Sequence, residues 1–483
     1  MSNSYKASFF SGLKWASFQN IVVKGLGLLF SIVLARILAP EDFGVIGLLS
    51  VFILLSQVFI ESGIAEALIQ KTDCSSEDYS TAFYFNTVVS VIIYVVLYAA
   101  APLIASFYRV PDLCLLTRVL SINIVIGSFN IVQRAKLTRA MDFRSLAIIS
   151  SVGLIVGGVV GLLMAYWGFG VWSLVLQTLV STFSSFLLFP YYSKWYPKWK
   201  YSMESFKKLW KYGSKLIVTG VLNVIIMNLS TILIGRLYKT NQVGYYTRAQ
   251  GFAEMPANVL LSVLSSVSFP VLCKTQSEKE YQLMVYKRIL FNAVLLVFPI
   301  MILLAILSRP LILVLLTDKW LPSVTIMQLL LLGRMFMPIG AMHNSLLRSV
   351  GNTTLYMKLY FIDAPLTLLG ILLSAPFGIE AMALSTLITS FIMYLITSSV
   401  IGRLFNYGVF AQFYDWRKIF CSLAIMSVCV SVVFLLFSNE YAQLMVGGMI
   451  GILSYVVCCK LFGLIDDDVA NQLKNMLKKH KIA

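Results

Sequence analysis

Charge is what this 483-residue chain has least of. Asp, Glu, Lys and Arg make up 12% of it, against 59% hydrophobic residues, where soluble domains carry about 25% and 45–50%. So few charges cannot cover a soluble surface, which excludes an ordinary globular domain. Histidine occurs twice, and the seven cysteines (Cys74, Cys114, Cys273, Cys421, Cys429, Cys458 and Cys459) form no C-x-x-C. No zinc spacing or redox motif can be drawn from them, and the adjacent Cys458 and Cys459 read as packing residues. No G-x-x-x-x-G-K-S/T loop is present, which removes ATP as a direct energy source. Long polar segments are missing too. The longest stretch between apolar runs is about twenty residues, too short for a catalytic domain, so an enzyme is not expected. The period-two alternation of a membrane β-barrel is likewise missing. The first apolar run lacks the short core and small-residue cleavage site of a signal peptide and is expected to be retained.

What the chain does have is apolar runs of roughly twenty residues, each long enough to cross a hydrocarbon core about 30 Å thick. About fourteen such spans are expected, at 15–38, 43–67, 82–106, 113–133, 145–168, 171–192, 213–236, 246–272, 287–308, 323–348, 355–377, 379–402, 417–437 and 442–462. The fold class is therefore an all-α polytopic membrane protein. The net charge of +17 does not point to nucleic acid, because most of the Lys and Arg fall in or beside one set of alternate connections. That bias sets a cytoplasmic amino terminus and, with an even number of spans, a cytoplasmic carboxyl terminus. The densest cluster, Lys194, Lys198, Lys200, Lys207, Lys208 and Lys211 with Trp195, Trp199 and Trp210 among them, reads as an interfacial helix on an anionic leaflet.

The chain also repeats itself. "LARILAPEDFGVIG" (34–47) is echoed by "LIGRLYKTNQVGYY" (233–246), with Ile32 on Ile232, Arg36 on Arg236 and Gly44 on Gly244. "GVWSLVLQTLVSTF" from Gly170 is echoed by "GIEAMALSTLITSF" from Gly378. The first echo covers the turn between the first two helices of each half and the second covers the sixth helix. Two six-helix units are expected, related by a pseudo-two-fold axis along the membrane normal, as in parallel-repeat transporters. The organisation expected is an N-terminal lobe (1–192), a cytoplasmic basic interfacial linker (193–212), a C-terminal lobe (213–403), two additional spans (404–465) and an amphipathic cytoplasmic tail (466–483).

An ionisable side chain at mid-bilayer costs roughly 2.5–3.5 kcal/mol on insertion scales, so each one inside a span requires a cavity or a partner. Lys24, Lys215, Arg334 and Arg118 are candidate cations for an anionic cargo. Glu61, Glu254 and Asp363 are candidates for binding a coupling ion or for balancing those cations. Asn20, Gln57, Asn223 and Asn258 fall on the same helix faces, at spacings of three, four and seven. Blander readings stand beside these. Glu66, Arg118 and Lys215 lie near enough to span ends to snorkel. His343 reads as a hydrogen-bonded packing residue, Asp363 precedes Pro365 and can satisfy freed backbone, and Arg36 and Arg236 suit anchoring of helix carbonyls. Pro256, Pro338 and Pro365 supply bends near these charges.

The stretches "ALIQKTDCSSEDYSTAFYFN" (67–86), "IVQRAKLTRAMDFRSLAII" (131–149), "GFGVWSLVLQTLV" (168–180), "LIGRLYKTNQVGYYTRAQGFAEMP" (233–256) and "SVSFPVLCK" (266–274) resemble the polysaccharide-exporter family. These are the Wzx/WzxC-type flippases of the multidrug/oligosaccharidyl-lipid/polysaccharide superfamily. The resemblance extends over nearly the whole chain to about residue 410. It implies twelve core helices in two bundles plus an extra pair, and alternating access in the bacterial inner membrane. The implied cargo is a polyprenyl-pyrophosphate-linked oligosaccharide for O-antigen, capsule or exopolysaccharide synthesis. It further implies membrane lipids as surroundings, a glycan polymerase and co-polymerase as partners, a monomer, no cofactor, and H+ or Na+ as the coupling ion. Related flippases carry cavity arginines in the first, second and eighth helices, where this chain has Lys24, Glu61 and Glu254. That departure argues against a peptidoglycan-precursor role. An ion-coupled drug or metabolite exporter of the same superfamily remains the alternative, with a glycan polymerase or ligase disfavoured by the short extracytoplasmic connections. Topology reporters fused after Lys200 and after Ala483 are both expected to report the cytoplasmic side, and a reporter fused after Gly168 the opposite side.

Overall fold

A computed structural model describes residues 22–61, 64–71 and 74–464, with side chains except at 61, 64, 66, 205, 206, 208–216 and 267. The chain divides into two compact units, Met1–Thr247 and Arg248–Ala483.

The first unit begins with a helix over 22–37 (α1), followed by α2 (Pro40–Glu61), α3 (Ile64–Gln70) and α4 (Ser76–Tyr108). The expected fourth span is split into α5 (Leu113–Leu120) and α6 (Ile122–Arg139), and α7 (Phe143–Tyr166), α8 (Val171–Ser193) and α9 (Met203–Leu237) follow. The unit closes within the first turns of α10 (Thr240–Lys274). The second unit holds the rest of α10, then α11 (Lys279–Ile306), α12 (Ser308–Leu315), α13 (Ser323–Arg334) and α14 (Met337–Ser349). It ends with α15 (Thr353–Ser374), α16 (Ile379–Phe405), α17 (Val409–Leu436) and α18 (Glu440–Leu461).

Among the described residues no strand occurs, and thirteen helices are long and apolar enough to cross a membrane. The first expected span, 15–38, is described only from residue 22, and the amphipathic tail expected from 466 lies outside the described residues. Only an apolar solvent accounts for the outer surfaces: on α4 alone Val88, Ile92, Val95 and Val96 are 56–58% exposed.

The basic linker is not one interfacial helix. Residues 194–202 form an irregular strap, and from Met203 the chain is helical straight into the span of α9. The strap is held by its own backbone: the Lys198 amide donates to Ser80 Oγ (3.1 Å) and the Ser202 amide to Thr81 Oγ1 (3.0 Å). Trp195 is buried against Tyr79 and Phe83 rather than lying in an interface, because these aromatic rings and Val132 offer it a closed apolar seat. The start of α4 is secured beside it. Ser75 accepts from the Asp78 amide, Asp78 Oδ2 accepts from the Ser75 amide (2.9 Å), and Lys71 Nζ reaches the same oxygen at 2.6 Å, a capping box closed by an ion pair.

In the second unit α17 and α18, which lie outside the expected repeat, pack on α11 and α12. Tyr455 donates to the Leu295 carbonyl at 2.8 Å. Buried Gln412 on α17 receives Ser398 Oγ (2.6 Å) and Tyr394 Oη (3.2 Å) from α16 and donates to the Tyr407 carbonyl (3.2 Å). Tyr407 donates in turn to Asp415 Oδ2 (2.8 Å). Burial, with that carboxylate alongside, holds the Tyr407 hydroxyl above its ordinary pKa.

The sequence echoes have physical causes. Gly170 and Gly378, which open the second echo, both take left-handed φ (51° and 109°) at the starts of α8 and α16, a region costly for any residue with a Cβ. Gly44 and Gly244, matched in the first echo, meet each other. A Cβ on Gly44 would lie 1.9 Å from the Thr240 carbonyl oxygen, and a Cβ on Gly244 would lie 2.0 Å from that of Pro40. Pro40 and Thr240 are themselves equivalent under the 200-residue offset, so α2 and the start of α10 cross through a reciprocal contact. Two helices approach this closely only where side chains are missing. Gly244→Val is expected to destabilise the purified protein by about 1–3 kcal/mol or more through overpacking, seen as a lowered unfolding midpoint in detergent. Gly251→Ala, on the same helix with nothing within 4 Å of its Cβ position, is the silent control.

Candidate functional site

Glu254 lies fourteen residues into α10, roughly 20 Å along the helix at 1.5 Å per residue, well inside the apolar run. Arg334 is the last residue of α13. Two non-helical residues follow before α14 begins at Met337, with Pro338 in its first turn. Proline is accommodated there because a first-turn amide lacks a helical partner anyway. From the end of α13 the Arg334 side chain reaches across to α10. Its Nη2 stands 2.6 Å from Glu254 Oε1, with the two side chains 21% and 33% exposed. Gln250, one turn earlier on α10, donates through Nε2 to the same Oε1 at 2.9 Å. Arg334 Nε is buried without a hydrogen-bond partner among the described residues.

Two of the charges singled out in the sequence are thus brought together, and each supplies the partner that the membrane demands of the other. Gln250 was not singled out. Its signal was available, since it stands four residues before Glu254 and so on the same helix face.

The other candidates are placed as follows. Lys24 is exposed on α1 and has no partner among the described residues; Gln57 on α2, Asn223 on α9 and Asn258 on α10 are also exposed. Asp363 is exposed on α15, two residues before Pro365. Asn20 and the side chains of Glu61, Glu66 and Lys215 lie outside the described residues. Arg118 is engaged on α4: its Nε donates to the Tyr98 carbonyl (3.4 Å) and its guanidinium carbon lies 4.3 Å from the Tyr98 ring centroid. Arg236 donates to the Phe107 carbonyl at 2.6 Å, the anchoring role expected for it. His343 is fully buried, with Nδ1 2.9 Å from Thr397 Oγ1 and its ring stacked on Tyr394, which is the packing role expected. Among the described residues no cluster of His, Cys, Asp and Glu could hold a metal ion.

A partly buried ion pair is tested by a double-mutant cycle. Glu254→Gln, Arg334→Gln and the double variant are expected to yield a coupling energy of about 1–3 kcal/mol, read from unfolding midpoints in detergent. Additive effects would contradict the contact.

The family model described as "Polysaccharide biosynthesis protein" matches residues 33–325. The chain is 24% identical over 401 residues to the lipopolysaccharide biosynthesis protein WzxC of Escherichia coli (strain K12), covering 81% of this chain and 82% of that one. It is 25% identical over 320 residues to the succinoglycan biosynthesis transport protein ExoT of Rhizobium meliloti, covering 66% and 65%. It is 23% identical over 402 residues to the teichuronic acid biosynthesis protein TuaB of Bacillus subtilis, covering 81% of each. Among solved structures, the lipid II flippase MurJ in an inward closed conformation aligns with a TM-score of 0.74 at 19% identity, covering 92% of this chain and 98% of that one. An inward-facing multidrug resistance MATE family transporter aligns at 0.60 and 16% identity, covering 80% and 98%. The likeness to these two shows that the chain shares their fold. With its family model matched over more than half its length, the chain belongs to the polysaccharide biosynthesis protein family.

Proposed function

We propose that this protein is a flippase that carries a polyprenyl-pyrophosphate-linked oligosaccharide across the bacterial inner membrane by alternating access, as a transporter and not an enzyme. The observation that carries the reading is the family match. Relatives over most of the chain are named for three different polysaccharides: lipopolysaccharide, succinoglycan and teichuronic acid. In this reading the feature recognised is the carrier headgroup and not the sugar. An anionic headgroup deep in hydrocarbon requires cations, and Arg334 on α13 and Lys24 on α1 are cations in apolar helices. A guanidinium matches a phosphate with two parallel hydrogen bonds. Lys215 and Arg118 are assigned as auxiliary cations, Glu61, Glu254 and Asp363 to charge balance or H+ or Na+ coupling, and Asn20, Gln57, Asn223 and Asn258 to polar lining.

In this scheme the six-helix lobes 1–192 and 213–403 move against each other about the linker 193–212. Residues 404–465 form an appended pair, and 466–483 form a surface tail. Both termini face the cytoplasm, and the glycan is delivered to a polymerase and co-polymerase on the far side.

Inversion of a fluorescent lipid-linked sugar by the purified protein in liposomes tests the activity. Lys24→Ala, well expressed in the membrane, is expected to abolish surface glycan in cells. Intact surface glycan in a strain lacking the protein, together with new drug sensitivity, would replace this reading with that of a drug exporter.

A further inference from the structure

The carboxylate of Asp78 serves the scaffold and is tied down. Asp78 is 1% exposed, and its Oδ2 takes Lys71 Nζ, the Ser75 amide and the Ser75 hydroxyl together. Glu254 also receives its partners on one oxygen, but it is a third exposed where Asp78 is sealed. Its contact with Arg334 runs through one atom pair, Nη2 to Oε1, and Gln250 converges on that same oxygen. The guanidinium does not form the two-bond fork that makes arginine–carboxylate pairs strong, and its Nε is left without a partner among the described residues. Both side chains keep a fifth to a third of their surface open. Arg334 also stands at a joint between helices, and nothing lies within 4 Å of a Cβ built on Gly340 just beyond it.

We infer that Glu254 is a built-in competitor for the anion site on Arg334. The carboxylate occupies the guanidinium while no cargo is bound, yields it to a pyrophosphate, and by returning drives that pyrophosphate off. The inference rests on the reading that the cargo has an anionic headgroup. A pyrophosphate outmatches the carboxylate because it carries more charge and can present two oxygens to Nε and Nη2 at once. A displaced Glu254 is not abandoned in hydrocarbon, since Gln250 Nε2 already donates to it. A transporter profits from such a competitor because tight binding alone would trap the cargo, and a tethered rival raises the off-rate without removing the cation.

The sign of one substitution tests this. Binding of inorganic pyrophosphate to the full-length protein in detergent is measured by calorimetry, and its dissociation by stopped flow. Glu254→Gln is expected to tighten binding by about tenfold, a shift of roughly 1.4 kcal/mol, and to slow release by a similar factor, while Arg334→Gln abolishes binding. In liposome transport Glu254→Gln should lower both KM and kcat. Binding that is equal or weaker in Glu254→Gln overturns the competitor role and leaves the transport reading standing. Should neither the wild-type protein nor the variant bind pyrophosphate, the anionic-headgroup reading falls and the inference with it. Glu254→Asp, which draws the carboxylate back by one methylene and so weakens its hold on Arg334 without removing the charge, gives a second measurement where Glu254→Gln does not fold. It is expected to shift affinity in the same direction by about two- to threefold, and no shift or a weakening overturns the role. Polyprenyl pyrophosphate in the same micelles is expected to compete with the probe; failure to compete overturns the assignment to a lipid headgroup.

Discussion

Inside hydrocarbon an unpaired peptide group costs several kcal/mol, and almost every feature described above is an accommodation to that cost. It requires each crossing segment to be a helix, and it requires any interruption to keep its amides bonded. Where α5 gives way to α6, the Ser121 amide still reaches the Thr117 carbonyl. Where α13 gives way to α14, the amides of Met335 and Phe336 reach Leu331 and Gly333. The second interruption falls directly after Arg334, whose side chain meets Glu254 on α10.

The same solvent removes the usual reason for helices to associate, because lipid tails are as apolar as leucine. Close approach and hydrogen bonding take over. The Gln412 network ties α17 to α16 through a buried amide, the Ser90 and Ser128 hydroxyls meet at 3.0 Å between α4 and α6, and the strap after α8 is fastened by backbone donors to Ser80 and Thr81. These contacts are directional where a soluble core would be merely greasy, and they set helix registers that hydrophobicity alone leaves free.

Much of this was legible in the linear sequence. Span positions follow from apolar length, and the long described helices fall where the runs predict, while the short α12 lies between two expected spans. Both repeat echoes were visible, as was the oddity of Glu254 and Arg334 inside apolar helices. What could not be read was how helices meet. Periodicity places Glu254 on a face of α10 and Arg334 near the end of its helix, but their contact joins residues 80 positions apart, across an interface whose register is set by packing. Trp195 was misread for a related reason. Its lysine-rich neighbours suggested an interface, while its seat is made by Tyr79 and Phe83, more than a hundred residues upstream. Gln250 was overlooked because an uncharged amide at mid-span draws less notice than a carboxylate, though it lies four residues away on the same face.

The crossing at Gly44 and Gly244 has a consequence for how asymmetry arises. A contact in which each residue meets the carbonyl equivalent to its partner's is the isologous contact of a homodimer, here contained in a single polypeptide. Identical subunits cannot place a lone acid near such an axis, since any substitution would appear twice. Covalent fusion lifts that restriction. Two to three turns inward from the crossing, where the first copy keeps Ser50 and Leu54, the second carries Gln250 and Glu254. Symmetry persists at the tip, where steric fit enforces it, and is lost further along the helices, where only one copy needs the charge.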